Sequence, residues 1–423
     1  MNHPHTTSLF ANGLIWFGAA LSLMEILLGT LLAPLGFTLG MTAILLGHLI
    51  GCTLLCLAGL AGARQRLTSM ETVMLSFGAQ GSLFFSLLHV LRLVGWTALG
   101  ILSAASAAQA VMDLGGIRVW CLVIGGLLAL WTVMGLHNWI RLNWFVMTGL
   151  FLLTLVLSAE VFSGLPKILA NDSISFSMGV EISAATPLFW IPMISDYTSR
   201  ARKPFEAACV SSAAYFLTSC WMYAIGLGAS LYTGASEVFQ IMLNSYWLRT
   251  IGLTPGIYMQ AADIAEIMAS SDTLAVVTAV MVVFSAATTL CLCVHSAGVS
   301  SHSVSERLRE KPASLAVCAA GTALAFFTPV ALDQYEDLLY LINSMSVPMI
   351  AVVLTDVFIL KADHSWERAN LKNFLIWLAG FGLYHCLLAL ADDPPFGKAL
   401  PVLLATSALC VAAGKLQRRF SVQ

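Results

Sequence analysis

"GLIWFGAALSLMEILLGTLLAPLG", Gly13 to Gly36, is apolar enough and long enough to cross a bilayer, yet it carries a full carboxylate, Glu25. Of the 423 residues, 59% are hydrophobic and only 10% charged, against roughly 25% charged in a soluble domain. A chain so short of charge does not place an acid in lipid without cause. On an insertion scale a charged residue at mid-membrane costs ~2.5–3.5 kcal/mol, so Glu25 is a functional residue by default. The same stretch holds Gly18, Ser22, Gly29 and Pro34, which invites a break in the helix, and backbone inside a membrane can leave the helix only where protein or water satisfies it.

Outward from this stretch, apolar runs of ~20 residues recur along the chain and predict an all-α polytopic membrane protein. Twelve spans are expected, near residues 13–34, 38–62, 80–112, 117–136, 140–163, 179–195, 205–232, 267–298, 313–331, 336–360, 371–390 and 398–414. Basic residues test the order, because cytoplasmic loops collect Lys and Arg. Fifteen of the 20 fall in alternate loops on one side, in clusters such as Arg200–Lys203 and Arg307–Lys311. Four (Arg118, Lys167, Arg249, Lys398) fall on the other side and Arg92 falls inside the third span. That bias predicts both termini in the cytoplasm. The stretch 233–266 is amphipathic and predicts short helices lying across the outer face. The net charge of −2 gives no sign of a nucleic-acid partner, and the ten cysteines form no CxxC pair. The N-terminus lacks a basic leader and a cleavage site, so the first apolar segment is expected to be retained.

The sixth span contains "SAATPLFWIP", with Pro187 and Pro192 in one short run, and predicts a second break. Interrupted segments at matching places in two halves of a chain point to a transporter built on an inverted repeat. The expected organisation is a first repeat over 1–163, a second over 164–361 and two additional C-terminal helices over 362–423.

Glu25 has three readings: a contact to a substrate amine, an ion pair with Arg92, or a proton carrier. Trp96, four residues past Arg92 and so on its face, and Trp190 in the sixth span carry rings that can hold a flat heteroaromatic solute, stacking adding ~0.5–1.5 kcal/mol beyond burial. Ser285, Thr288 and Thr289 in the eighth span offer hydroxyls to a hard cation, or bond back to carbonyls of the preceding turn. Asp196 with Arg200 or Arg202 suggests an ion pair at the inner mouth, or a solvated loop. His48, His89, His295 and His385 sit on different spans without HExxH or an acid cluster, which speaks against an enzyme; repeated polar rings that would line a channel are absent too.

Several stretches together resemble the nucleobase–cation symporter-1 family: "NGLIWFGAALSLMEILLGTLLAPLG" in span one, "LVGWTA" in span three and "PLFWIPMISDYTSRA" leaving span six. To these belong "ATT" and "HSAGVS" in span eight and "NFLIWLAGFGLYH" in span eleven. Within that family the chain looks most like the branch of hydroxymethylpyrimidine permeases linked to thiamine biosynthesis. The resemblance implies a LeuT-like fold of five plus five inverted helices. It also implies transport of a pyrimidine-type substrate, with a cytosine or purine permease as the alternative, coupled to Na+ with H+ as the other option. No other cofactor is implied, and the expected assembly is a monomer in the inner membrane. The implied substrate residues are Ser22, Glu25, Arg92, Trp96, Thr186, Phe189, Trp190 and Cys293. The implied sodium ligands are the carbonyls of Gly18 and Leu21 with Ser285, Thr288 and Thr289; Asp196 and Arg200 would form the gate. Where family members carry amides or an acid after the paired threonines, this chain reads Leu290 to His295. That departure argues against uracil, hydantoin or allantoin and for an aminopyrimidine.

Overall fold

The computed structural model describes residues 7–112, 115–134, 174–232, 272–305, 307–327, 332–390 and 397–420, with parts of 144–162. The chain runs as α1 Leu9–Ala20, α2 Leu23–Thr30, α3 Gly36–Gln65, α4 Ser69–Val111, α5 Ile117–Met134, α6 Phe176–Thr198 and α7 Pro204–Tyr232. It continues as α8 Asp272–Val304, α9 Glu310–Phe327, α10 Leu332–Leu354, α11 Leu371–Leu388 and α12 Ala399–Phe420, with a π-helical turn Thr355–Leu360 closing α10. Among the described residues the only β contact is an isolated bridge, Thr7 to Ala201. Among the described residues, seven helices are long and apolar enough to cross a membrane, eight when the bent pair α1–α2 counts as one span. Part of the fifth expected span and all of the 233–266 stretch lie outside the described residues.

The first span is broken as its composition predicts. The α1 helix ends at Leu21 (φ −79°, ψ 68°), and Ser22 opens α2 in extended geometry (φ −134°, ψ 150°). Its hydroxyl accepts the Glu25 N–H at 3.4 Å, so the new helix begins on a serine cap. Glu25 sits in the first turn of α2, where the helix dipole favours a negative charge. The two halves meet at 57°.

The sixth span departs from expectation. It is one helix from Phe176 to Thr198 straight through Pro187 and Pro192. The reason lies in its neighbour: α3 presents glycines where the α6 backbone and proline ring come closest. A Cβ on Gly47 would stand 2.3 Å from the Val180 carbonyl, and one on Gly51 2.3 Å from the Pro187 ring. Small residues let helix backbones approach closely in a membrane, and α6 is gripped along its length instead of opening. Gly29 and Gly226 do the same between α2 and α7.

Packing divides the described helices into two bodies. The α1–α2 pair, α3, α6 and α7 pack densely on one another, as do α4, α5, α8 and α9; contacts between the two sets are few. A second kink, at Gly78 in α4 (φ 75°, ψ 176°), interrupts the helix just before the expected start of its span. There the 361–370 segment enters the gap, and the Glu367 and Arg368 carbonyls accept the Ala79 and Gln80 N–H groups at 3.1 and 2.8 Å.

Candidate functional site

A cavity of about 220 Å³ lies where the two bodies meet, at the level of the break in the first span. Its walls are mostly apolar, with a few polar groups aimed inward, the composition of a small-molecule site. All eight residues expected to touch substrate line it: Ser22, Glu25, Arg92, Trp96, Thr186, Phe189, Trp190 and Cys293. Of the expected sodium ligands, Ser285 and Thr289 line it, while Gly18, Leu21 and Thr288 do not. The wall also includes Ile350 of α10, Tyr384 of α11, and Ala399 and Leu403 of α12, elements the sequence did not assign to the site.

Glu25 is 3% exposed and turned into protein, not towards lipid. Tyr215 donates to one carboxyl oxygen at 2.5 Å, and the Ser219 hydroxyl stands 2.8 Å from the other. Ser219 in turn lies 2.6 Å from His48 Nε2, and Trp190 donates its indole N–H to the Tyr215 oxygen at 3.1 Å. None of Tyr215, Ser219 and His48 was singled out as a site residue in the sequence. A signal existed: Tyr215, Ser219 and Tyr223 recur every four residues on α7 and so share one face.

The ion pair of Glu25 with Arg92 does not form. Arg92, 2% exposed, donates to the Phe189 carbonyl at 3.2 Å and its guanidinium carbon stands 5.0 Å from that ring's centre. Its Nε has no partner. A buried guanidinium with an unused donor and no carboxylate beside it is costly unless a ligand supplies the acceptor.

The aromatic walls differ from an open slot between two indoles. Phe189 stands between them, 5.0 Å from Trp96 and 5.2 Å from Trp190, edge-on to both. Trp190 is itself buried against Trp16 at 5.6 Å. Phe189 is thus the more accessible ring of the sixth span.

The hydroxyls of α8 separate cleanly. Ser285 donates to the Leu21 carbonyl at 3.2 Å, tying α8 to the break. Thr288 bonds back to Phe284 at 2.8 Å, as a structural threonine does. The Thr289 hydroxyl is buried and has no partner.

The expected gate pair, Asp196 with Arg200, is replaced by other bonds. Asp196 accepts the Ser69 N–H at 2.8 Å and the Ser296 hydroxyl at 2.5 Å, binding the end of α6 to the start of α4 and the C-terminal part of α8. Arg200 forks onto Glu310 at 2.9 and 3.0 Å instead. Tyr197 donates to the Leu292 carbonyl at 2.7 Å, and Arg66 donates to the carbonyls of Ser199 and Ala201. This end of the cavity is closed by bonds between α6 and its neighbours. Towards the other end, the buried Glu181 carboxylate caps the start of α12, accepting the Lys398 and Ala399 N–H groups at 2.7 and 3.0 Å.

The fold is that of the LeuT-type membrane transporters. Over 97% of this chain and 93% of the other, it is similar to Mhp1, a nucleobase-cation-symport-1 family transporter, in a closed conformation with bromovinylhydantoin bound (TM-score 0.73, 16% identity). The inward-facing conformation of Mhp1 superposes at TM-score 0.68 and 16% identity, over 98% of this chain and 92% of that one. A Na+-coupled sialic acid symporter in its substrate-bound outward-open state also superposes at 0.68, with 13% identity over 97% and 90% of the two chains. No protein-family model matches the chain, and no curated protein matches it in sequence.

Proposed function

We propose that the protein is a secondary active transporter that imports a pyrimidine-type base together with a cation, by alternating access. The observation that carries this reading is the cavity at the broken first span, where Glu25, Arg92 and three aromatic rings converge between two bodies that touch sparingly. The fold shared with Mhp1 and the sialic acid symporter supports it. Glu25 offers acceptors to an exocyclic amine, Arg92 offers a free donor to a ring nitrogen or oxygen, and Phe189, Trp96 and Trp190 give the flat faces a ring needs. Cys293 stands where an amide would grip a ring carbonyl, which favours an aminopyrimidine, with 4-amino-5-hydroxymethyl-2-methylpyrimidine as the leading substrate.

For the cation, the unpartnered Thr289 hydroxyl, Ser285 and the Leu21 carbonyl form the nucleus of a sodium site, with Gly18 contributing from the end of α1. Thr288 drops out of the set because its hydroxyl turns back onto the Phe284 carbonyl of its own helix, whereas that of Ser285 reaches the break. Sodium bound there orders the break that positions Glu25, so cation and substrate tighten each other by linkage. The chain then has twelve spans in two inverted repeats with two further helices, both termini in the cytoplasm of an inner membrane, and acts as a monomer. The α1–α2, α3, α6, α7 body rocks against the rest, and the Asp196 and Tyr197 bonds close the cytoplasmic path.

Thermal stabilisation of the purified protein in detergent tests the reading, across aminopyrimidines, cytosine and hypoxanthine with and without sodium. The hydroxymethyl aminopyrimidine is expected to raise Tm, and sodium to enlarge the effect. Stabilisation by hypoxanthine alone would reassign the substrate to purines.

A further inference from the structure

The hydrogen bonds around Glu25 can be counted proton by proton. His48 Nδ1 lies 2.9 Å from the Ile44 carbonyl, which only accepts, so Nδ1 carries a proton. Three short gaps remain: Tyr215 to one Glu25 oxygen at 2.5 Å, Ser219 to the other at 2.8 Å, and Ser219 to His48 Nε2 at 2.6 Å. Each needs a proton, since two lone pairs at that separation repel. The phenol and the hydroxyl supply one each, and the Tyr215 oxygen is already taken as an acceptor by the Trp190 N–H. One further proton is required. It sits on Glu25, with His48 neutral, or on His48 Nε2, with Glu25 ionised.

We propose that Glu25, Ser219 and His48 form a relay that holds one mobile proton beside the cavity, with His48 as its inner store. The transfer is balanced: Glu25 gives its proton to the Ser219 oxygen as Ser219 passes its own to His48 Nε2, and the reverse restores the first state. The relay is electrically neutral overall in both states and lies wholly in one body, on α2, α3 and α7. It allows Glu25 to accept a bond from a substrate amine without a proton leaving the protein. This use rests on the reading of the cavity as the substrate site; the proton count does not.

Among the described residues, no other charged group lies within bonding reach of Glu25 or His48. Cys52 of α3 and Cys220 of α7 lie close to Glu25, and the Tyr223 ring meets His48 edge-on at 4.8 Å, its hydroxyl committed to the Ile182 carbonyl at 3.1 Å. Thr186 of α6 is the polar neighbour on that side. Arg92 faces the same cavity from α4 and bonds the Phe189 carbonyl. A second acid–serine–histidine chain shows what the count adds. Asp196, Ser296 and His89 are joined at 2.5 and 3.2 Å, but a neutral His89 with its proton on Nε2 satisfies them and no extra proton is needed.

The test is a proton count on the full-length protein in detergent at neutral pH, with no ligand added. Infrared spectroscopy reads the Glu25 carboxyl, assigned by the band lost in Glu25→Gln, and nitrogen-15 NMR reads the His48 ring. A protonated carboxyl with a neutral, Nδ1-protonated imidazole, or a carboxylate with an imidazolium, is the expected result. A carboxylate with a neutral imidazole, or both groups protonated, overturns it. Cutting the chain with Ser219→Ala is expected to shift both signals together, and Ser219→Thr, which keeps the hydroxyl, to leave them in place. If Ser219→Ala moves neither signal, the relay does not exist. A protein that carries no pyrimidine would leave these readouts intact, so the two readings fail separately.

Discussion

The first and sixth spans carry similar helix-breaking composition and resolve it in opposite ways. In the first, glycines flank a serine that caps a new helix, and the acid three residues on places its charge in the first turn of α2. In the sixth, two prolines each remove a backbone donor, yet the helix continues because α3 presents glycine at the contact and the proline ring packs there. The difference teaches that proline marks where a helix loses a bond, whereas a break needs something to satisfy the ends it creates. The first span has that in the Ser22 cap and in Ser285 reaching the Leu21 carbonyl. The sixth has a neighbour that makes breaking unnecessary.

Five substitutions probe this contrast. Glu25→Ala removes the acceptor at the break and takes the carboxylate partner from two buried hydroxyls, Tyr215 and Ser219. Hydrogen bonds to charged groups contribute about 1.5–3 kcal/mol, so affinity for the aminopyrimidine is expected to fall about 10- to 100-fold in equilibrium binding. Ser22→Ala removes the cap of α2, and chemical denaturation in mixed micelles is expected to show a loss of about 1 kcal/mol, with weaker sodium dependence of binding. Thr289→Val and Thr288→Val form a pair. The first should abolish the sodium enhancement of substrate binding with a stability change within about 0.5 kcal/mol, because its hydroxyl has no protein partner. The second should leave the sodium response intact; equal loss in both would remove the proposed ligand set. In the sixth span, Pro192→Ala is expected to change binding least of all, since the helix is already continuous there. A large loss of affinity from it would mean that the α6 prolines shape the cavity after all.

Much of this was legible in the sequence. Glu25 stands out because charge in a membrane is expensive, and the cavity collects the eight residues expected to touch substrate because helices lie where spans one, three, six and eight were expected. What was not legible depended on partners distant in the chain. Arg200 turns to Glu310, 110 residues away, instead of Asp196. The Ser219 hydroxyl lies 194 residues from Glu25, and no local pattern fixes that pairing. The same holds for α12, which enters the cavity wall through the Glu181 cap. The continuous α6 was missed because proline was weighed without its neighbour. Phe189, also expected at the site, stands between the two tryptophans expected to enclose a ring, a position set by rotamer and packing.

Uptake of 4-amino-5-hydroxymethyl-2-methylpyrimidine into proteoliposomes, with the sodium and proton gradients imposed one at a time, tests the central claim most directly. Accumulation above the external concentration, driven by an inward cation gradient and lost in Glu25→Ala, is the predicted result. Flux that is absent, or that runs downhill at the same rate whatever gradient is imposed, would contradict it.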